Sequence, residues 1–289
     1  MRRAHVRRAH VRGPHVRGSR CGAGRDLSRR AGPRREPSRR VRAIVTGVGG
    51  SSWGGRPRRR FAERSGRPTS RPLPDLEVYL ADWSALHGGY DPRSNPLVRR
   101  WLGGTYRLAR PLARGGVRPG QVTAAGVALS GVAVVPAAGG GRWPLAAAGA
   151  ALGAAMLDSL DGCVAILSGR VSPSGAVVDH VADRVSDAAM LGALVAAGAP
   201  RSLAVAGTGT LMGLEYTRAV ARAAGFTEIG VVTVGERPTR VIVTVAGLVC
   251  ASLFPGRAAA FAAAAAAAVA GLSLIGQAQF LAFVRRELR

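Results

Sequence analysis

Four aspartates attract attention because each lies in an apolar stretch and because they form two pairs. Asp158 and Asp161 are three residues apart, and Asp179 and Asp183 are four residues apart. In an α-helix these spacings put both members of a pair on one face. A carboxylate near the centre of a membrane helix costs about 2.5 to 3.5 kcal/mol, so these groups need a compensating charge. Carboxylate oxygens suit Mg²⁺ or Mn²⁺, and the pattern therefore predicts a divalent metal site.

Ion pairs are the alternative way to neutralise the same aspartates. The arginines that would form them are Arg170, Arg184 and Arg218. Such pairs would balance the charge, but they do not explain why the acids recur at helical spacing. We therefore favour the metal site.

The elements that must position the aspartates follow from the hydropathy pattern. After Pro119, apolar stretches alternate with short breaks rich in Gly, Pro and Arg. A bilayer crossing needs about 20 apolar residues. The six predicted spans are residues 121–138, 143–167, 176–197, 203–224, 241–254 and 258–284. The second and third spans are consecutive and hence antiparallel, so the two acid pairs are expected to face one another near the loop that joins them.

The predicted fold class is therefore all-α, an integral membrane bundle of six transmembrane helices over residues 116–289, preceded by an amphipathic interfacial helix. Arg-rich loops stay on the cytoplasmic side of a membrane. The loop with Arg218, Arg222, Arg237 and Arg240 falls on the same side as both termini. We expect a multi-pass protein of the cell (plasma) membrane, with the acid pairs and both termini in the cytoplasm.

Two segments precede the predicted bundle. Residues 1–72 hold 22 arginines against three acidic residues, so most of the formal net charge of +25 lies there. This composition cannot bury a core, and we expect a disordered tail. Residues 73–115 interleave aromatic residues with arginines, a pattern typical of a helix at the lipid headgroup level.

The aspartates also belong to a recognisable signature. The segment 158–183 resembles that of the CDP-alcohol phosphotransferase family, in which D-x2-D-G-x2-A-R is followed by x8-G-x3-D-x3-D. The positions that match in register are Asp158, Asp161, Gly162, Ala165, Gly175, Asp179 and Asp183. Residues 119–123 resemble the P-N-x-x-T entry to the family's first span, although the Asn is missing. The resemblance extends from about residue 97 to the C-terminus.

This resemblance implies a metal-dependent transfer of a phosphatidyl group from CDP-diacylglycerol to a small alcohol, with release of CMP. It implies two Mg²⁺ or Mn²⁺ ions, held by Asp158, Asp161, Asp179 and Asp183, and it makes Asp183 the catalytic base. The residues implied to contact the CDP-lipid are Gln121, Thr123, Gly162, Ala165, Ile166, Ser172 and Gly175. A homodimer is implied by the resemblance as well.

One position departs from the family pattern. Ile166 stands where the signature has Arg, which in the family helps to hold the diphosphate of the nucleotide lipid. The change implies a substitute, for which Arg170 is the nearest candidate, or a diverged and inactive relative. All four acids and both signature glycines remain, and this favours an active enzyme.

The acceptor alcohol is predicted from arginines near the cytoplasmic ends of the third, fourth and fifth spans. Those expected to bind a phosphate on the acceptor are Arg184, Arg218, Arg237 and Arg240. Arginine forms bidentate hydrogen bonds with phosphate, although positive-inside topology alone would also place arginines here. The segments around Arg218 and Arg237 resemble those of phosphatidylinositol phosphate synthases within the family. This favours inositol phosphate as acceptor, with glycerol phosphate or another polyol as the alternative.

Two other classes of function compete with the enzyme. A membrane-tethered binding protein would act through its basic tail, but no aromatic residues interleave the first 50 positions to stack bases, so a nucleic-acid partner is disfavoured. A transporter would use the acids as an ion path. A proton relay has no need of the two glycines at fixed spacing, and we therefore favour the transferase.

Overall fold

The computed structural model of the protein describes residues 72–224 and 232–287, which form helices and no strand. The predicted tail at residues 1–72 thus lies outside the described residues, apart from Pro72. The α-helices are α1 (Leu76–Leu86), α2 (Pro96–Arg114), α3 (Pro119–Val132), α4 (Val134–Ala137), α5 (Trp143–Ser168), α6 (Pro173–Ala196), α7 (Arg201–Ala223), α8 (Arg237–Leu253) and α9 (Ala258–Glu287). Single 3₁₀ turns lie at Pro92–Ser94 and Pro255–Arg257.

The described residues confirm an all-α fold, and a helix occupies each predicted span. Three helical segments are long and apolar enough to cross a membrane, namely Pro119–Ala137, Trp143–Ser168 and Pro255–Arg286. The first of these is α3 and α4 together, which are interrupted at Ala133. Helices α6 and α7 carry more charge, and α8 has only 17 residues. The six-span count is therefore still a prediction.

The segment predicted as one amphipathic helix contains two, α1 and α2. The side chain of Asp75 caps α1 by accepting from the amide of Val78 at 2.9 Å. The side chain of Asn95 caps α2 by accepting from the amide of Leu97 at 3.0 Å, and Pro96 opens that helix. Asx residues followed by proline are strong helix starts, so the division could have been predicted from the sequence.

The inner faces of α1 and α2 pack on the bundle. Their buried residues form one apolar cluster with residues of α3 and α5, with Tyr79, Leu80, Leu102, Tyr106, Val122, Leu160 and Val164 among its members. The hydroxyl of Tyr106 donates to the carbonyl of Pro74 at 2.9 Å, which ties the start of this region to α2. These contacts fix the half of α5 that carries the aspartates.

Small residues bring α3 close to α5. A Cβ on Gly126 would lie 3.4 Å from Cβ of Leu157 and 3.5 Å from the carbonyl oxygen of Ala154, so the two helices nearly touch there. Small residues permit such close approach between membrane helices. Thr123 lies one turn before Gly126 on α3, and the contact therefore brings its side chain next to α5.

A short loop joins α5 to α6. Helix α5 ends at Ser168 and is followed by Gly169, which has φ of +64° and adopts the left-handed conformation that glycine tolerates. Helix α6 begins after Ser172, whose Oγ accepts from the amide of Gly175 at 3.1 Å, with Pro173 in its first turn. Because the loop is short, the acids on α5 and α6 lie near the same end of the bundle.

Candidate active site

Three of the four predicted aspartates lie close together where α5 and α6 face one another. Asp158 comes from α5, and Asp179 and Asp183 come from α6. One carboxylate oxygen from each lies within 4.8 Å of the others, and all three residues are half-buried. The antiparallel arrangement expected from the sequence thus places carboxylates from two helices around one point. We call these three residues the acid cluster.

Asp161 lies one turn beyond Asp158 on α5 and outside this group of three. It is 4% exposed, and its Oδ2 accepts a hydrogen bond of 2.5 Å from the hydroxyl of Thr123. Asp158 and Asp161 line one narrow cleft with Thr123, Ser186 and Arg237. Asp161 therefore belongs to the same site as a more deeply buried carboxylate whose direction α3 fixes.

Arg237 is the basic residue in closest contact with the acid cluster. It opens α8, and its Nη1 lies 2.8 Å from Asp158 and also contacts the carboxylate of Asp183. Arg184 adds a weaker contact, with its Nη2 3.5 Å from Asp183. The other two arginines predicted as ion-pair partners, Arg170 and Arg218, contact different groups. Arg237 thus makes the closest ion pairs with the acid cluster, although the ion-pair alternative did not include it.

The donor set fits a hard divalent cation. Mg²⁺ binds oxygen at 2.0 to 2.1 Å, so two oxygens on one ion lie at most about 4.2 Å apart. The separation of up to 4.8 Å within the acid cluster needs only small side-chain rotations to reach this range. Four carboxylates beside one closely contacting arginine leave an excess of negative charge that a divalent cation would balance.

The residues predicted to contact the CDP-lipid differ in how open they are. Gly162 is exposed, and a Cβ there would meet nothing within 4 Å, so the backbone of α5 is accessible beside Asp161. Gly175 is exposed in the first turn of α6, and Ala165 is half-buried. Ser172 uses its hydroxyl to cap α6, and Gln121 accepts from the amide of Arg118 at 2.9 Å.

Ile166 occupies a different environment from these residues. It is 6% exposed and belongs to the apolar cluster that α1 and α2 form with α5. The suggested substitute for the signature Arg is also engaged, since Nη1 of Arg170 donates to the carbonyls of Gly116 and Val117 at 3.3 and 3.4 Å. Arg170 thus holds the turn before α3.

The four arginines predicted to bind the acceptor are all paired with carboxylates. Arg184 and Arg237 border the acid cluster. Arg218 contacts Glu236 and donates to the hydroxyl of Thr233 at 2.9 Å. Arg240 is 2% exposed. The structure therefore brings two of the four beside the aspartates and places the other two among further acids.

Sequence reasoning missed those further acids. Asp187 lies 2.8 Å from Arg240, and Glu215 lies 3.0 Å from Arg184 and 3.3 Å from Arg218. We call the set of Arg184, Asp187, Glu215, Arg218, Glu236 and Arg240 the ion-pair network. Two signals could have revealed it, because Asp187 follows Asp183 by four residues and Glu215 precedes Arg218 by three.

Glu236 lies in the segment before α8 and is a charged member of the ion-pair network. Burial disfavours its ionised form, but hydrogen bonds from Arg218 and from Thr233 outweigh that effect and hold the pKa of Glu236 below its usual value. Since Arg237 is the next residue, this anchored carboxylate also fixes the start of α8.

Comparison with known proteins gives one family. The model of the family described as CDP-alcohol phosphatidyltransferase matches residues 117–275, which include all four aspartates. The phosphatidylinositol phosphate synthase of Corynebacterium glutamicum is 35% identical over 102 residues, or 32% of this chain. The aligned part spans 46% of that relative, less than half of its length.

Solved structures of the phosphatidylinositol phosphate synthase of Mycobacterium tuberculosis resemble the fold. The complex with CDP-DAG is 28% identical, has a TM-score of 0.50 and covers 61% of this chain and 91% of the solved chain. The complex with manganese and citrate is 29% identical, has a TM-score of 0.51 and covers 61% of this chain and 87% of the solved one.

Proposed function

Because the chain belongs to the CDP-alcohol phosphatidyltransferase family, we propose that it transfers a phosphatidyl group from CDP-diacylglycerol to a small alcohol and releases CMP. The observation that carries this proposal is the acid cluster, in which Asp158, Asp179 and Asp183 from two helices present oxygens within 4.8 Å of one another. The family model spans these residues. One of the similar solved structures is a complex with CDP-DAG, which supports the donor.

The proposed site uses a divalent metal, Mg²⁺ or Mn²⁺, with two ions held by Asp158, Asp161, Asp179 and Asp183. Bound metal would polarise the diphosphate and neutralise charge on the departing CMP. The oxygen-rich donor set supports this choice, as does the manganese in a similar structure. The hydrogen bond from Thr123 keeps the carboxylate of Asp161 in a fixed direction for this role.

Asp183 is the proposed general base. It removes the proton from the acceptor hydroxyl, and the acceptor oxygen forms a bond to the lipid-side phosphorus. The bond from that phosphorus to the CMP oxygen breaks, and the proton stays on Asp183. The position of Asp183 within the acid cluster supports this role, because the base must lie where both substrates meet.

The CDP-lipid is proposed to lie along the exposed side of α5 and the start of α6. Gly162 leaves the backbone of α5 open. Gly175 is exposed in the first turn of α6, where a Cβ would lie 3.0 Å from the hydroxyl oxygen of Ser172. The further contacts proposed for the CDP-lipid, from the positions that match the family pattern, are Ala165, Ser172, Gln121 and Thr123. Ile166 would support this side of α5 only indirectly, because its side chain is buried in the apolar cluster.

The proposed acceptor is a phosphorylated polyol such as inositol phosphate, with glycerol phosphate as the alternative. Arg184 and Arg237 support it, because both guanidinium groups lie at the acid cluster, where an acceptor must bring its hydroxyl to Asp183. Arg218 and Arg240 complete the predicted set. The names of the similar proteins favour the inositol compound.

We further propose that α3 to α9 form six membrane spans, with the site and both termini in the cytoplasm, and that the protein lies in the plasma membrane as a homodimer. Helix α2 would lie at the headgroup level. Leu97, Trp101 and Leu108 support this, because they share one face of α2 and are 75%, 42% and 52% exposed.

The test is a CMP-release assay with the full chain purified in detergent. The mixture contains CDP-diacylglycerol, Mg²⁺ or Mn²⁺, and one of four acceptor conditions: inositol phosphate, glycerol phosphate, unphosphorylated inositol, or none. We expect CMP release that depends on a phosphorylated acceptor and is fastest with inositol phosphate. Absence of release under every condition would overturn the proposed function, and release with glycerol phosphate alone would change the acceptor.

A further inference from the structure

Asp187 and Arg240 form a buried ion pair between α6 and α8. The Oδ2 of Asp187 accepts from Nη2 of Arg240 at 2.8 Å, and the side chains are 3% and 2% exposed. Nη2 of Arg184 lies 3.5 Å from the same oxygen. One carboxylate on α6 is thus shared by arginines of two helices.

Net stability is a weak explanation for such a pair. Removing two charges from water is costly, and well-packed apolar residues in place of a buried ion pair are often neutral or stabilising. A buried pair is better explained by the groups that it orients, and these can be identified from the contacts of Arg240 and Arg184.

Arg240 fixes the start of α8. Its Nη1 donates to the carbonyl of Gly235, just before the helix, while Nη2 is held by Asp187. Arg237 lies three residues earlier, in the first turn, and reaches Asp158 and Asp183. The pair with Asp187 therefore determines how α8 presents Arg237 to the acid cluster.

Arg184 is held by carboxylates on both α6 and α7. Its Nη1 lies 3.0 Å from Glu215 on α7, and its Nη2 lies 3.5 Å from both Asp183 and Asp187. Without Asp187 the guanidinium group would lose a contact that keeps it beside the acid cluster rather than turned toward α7.

We infer that Asp187 is a positioning residue that sets the direction of Arg184 and, through Arg240, of Arg237, so that both guanidinium groups meet the phosphate of the acceptor. This inference rests on the proposed function. Asp187 itself does not touch the acceptor, because it is buried beneath the arginines that it holds. Its effect is on acceptor binding and not on the donor or the metal.

The test compares the parent chain with two variants. Asp187→Asn keeps the size of the side chain but leaves Arg240 with only the more distant carboxylate of Glu215, at 3.9 Å. The double variant Asp187→Leu with Arg240→Met removes both charges and avoids an unpaired buried arginine. Glu77→Gln is the matched control, because it removes the charge of Glu77 on α1 from a partly exposed ion pair of 2.8 Å with Arg93 in the following 3₁₀ turn.

The readouts are KM for inositol phosphate, KM for CDP-diacylglycerol, the Mg²⁺ concentration for half-maximal CMP release, and thermal unfolding in detergent. We expect the acceptor KM to rise about tenfold in both variants, equivalent to about 1.4 kcal/mol. The donor KM and the metal requirement should stay as in the parent chain, and Glu77→Gln should change none of these values.

Four outcomes overturn the inference. An active parent chain with an unchanged acceptor KM in the double variant overturns it alone, as does an equal rise in the donor and acceptor KM values. Loss of folded protein in both variants assigns Asp187 a purely structural role. An inactive parent chain overturns the proposed function, and the inference falls with it.

Discussion

The acid cluster and the ion-pair network adjoin on α6, where Asp187 lies one turn beyond Asp183, yet they hold their carboxylates in opposite ways. In the network, Asp187, Glu215 and Glu236 are matched by Arg184, Arg218 and Arg240. In the acid cluster, Asp158, Asp179 and Asp183 lie within 4.8 Å of one another. Among the described residues, Arg237 is the arginine that contacts two of them closely.

With the roles proposed above, the local supply of cations, more than burial, separates a positioning carboxylate from a reactive one. A carboxylate matched one to one by arginines is already neutralised and can serve to orient its partners. Carboxylates that outnumber their arginines retain affinity for a further cation. Substitutions in the acid cluster should therefore change catalysis or the metal requirement, whereas substitutions in the ion-pair network should change stability or acceptor binding.

The largest effect is expected for Asp183→Asn. The amide cannot accept the acceptor's proton, and general-base catalysis contributes about 10²- to 10⁴-fold, so CMP release should fall by at least that range. The measurement is the rate of CMP release at saturating substrates and metal. A rate equal to that of the parent chain would show that Asp183 is not the base.

A smaller loss is expected for Thr123→Val, which keeps the shape of the side chain but removes the hydrogen bond to Asp161. A hydrogen bond to a charged group contributes about 1.5 to 3 kcal/mol. We expect the metal concentration for half-maximal activity to rise roughly tenfold or more. An unchanged metal requirement would separate Asp161 from the metal site.

Glu215→Gln tests the other region. The change removes the charge that Arg184 and Arg218 share, at 3.0 and 3.3 Å. We expect a loss of about 1 to 3 kcal/mol in stability, seen as a lower unfolding temperature in detergent. The metal requirement should not change. If Glu215→Gln raised the metal concentration for half-maximal activity as much as Thr123→Val does, the ion-pair network would have to be counted as part of the metal site.

The smallest effect is expected when residues 1–71 are deleted. They lie before the described helices and contain none of the predicted site residues. CMP release by the shortened chain should equal that of the full one. A loss of all activity would favour a protein that acts through its basic tail.

Hydropathy predicted most of the fold, because each long apolar stretch has to bury itself as a helix. The predicted and observed starts of the second span are both Trp143, and its ends differ by one residue. The division of the amphipathic segment into α1 and α2 was missed, since the prediction followed the aromatic pattern and not the proline at residue 96.

The site was predictable where spacing carried the information. Helical spacing and antiparallel spans brought Asp158 to Asp179 and Asp183. Spacing could not reveal that Arg237, more than 50 residues further along the chain, would contact them, because that contact depends on how α8 packs against α5. The buried position of Ile166 depends likewise on the docking of α1 and α2.

The most direct test of the central claim is metal dependence. The purified chain is stripped with a chelator, and CMP release is followed as Mn²⁺ or Mg²⁺ is restored, beside the Asp179→Asn variant. We expect no release without metal, full recovery in the parent chain and recovery at a higher metal concentration in the variant. Release that persists after chelation would contradict the assignment of the acid cluster as a metal site.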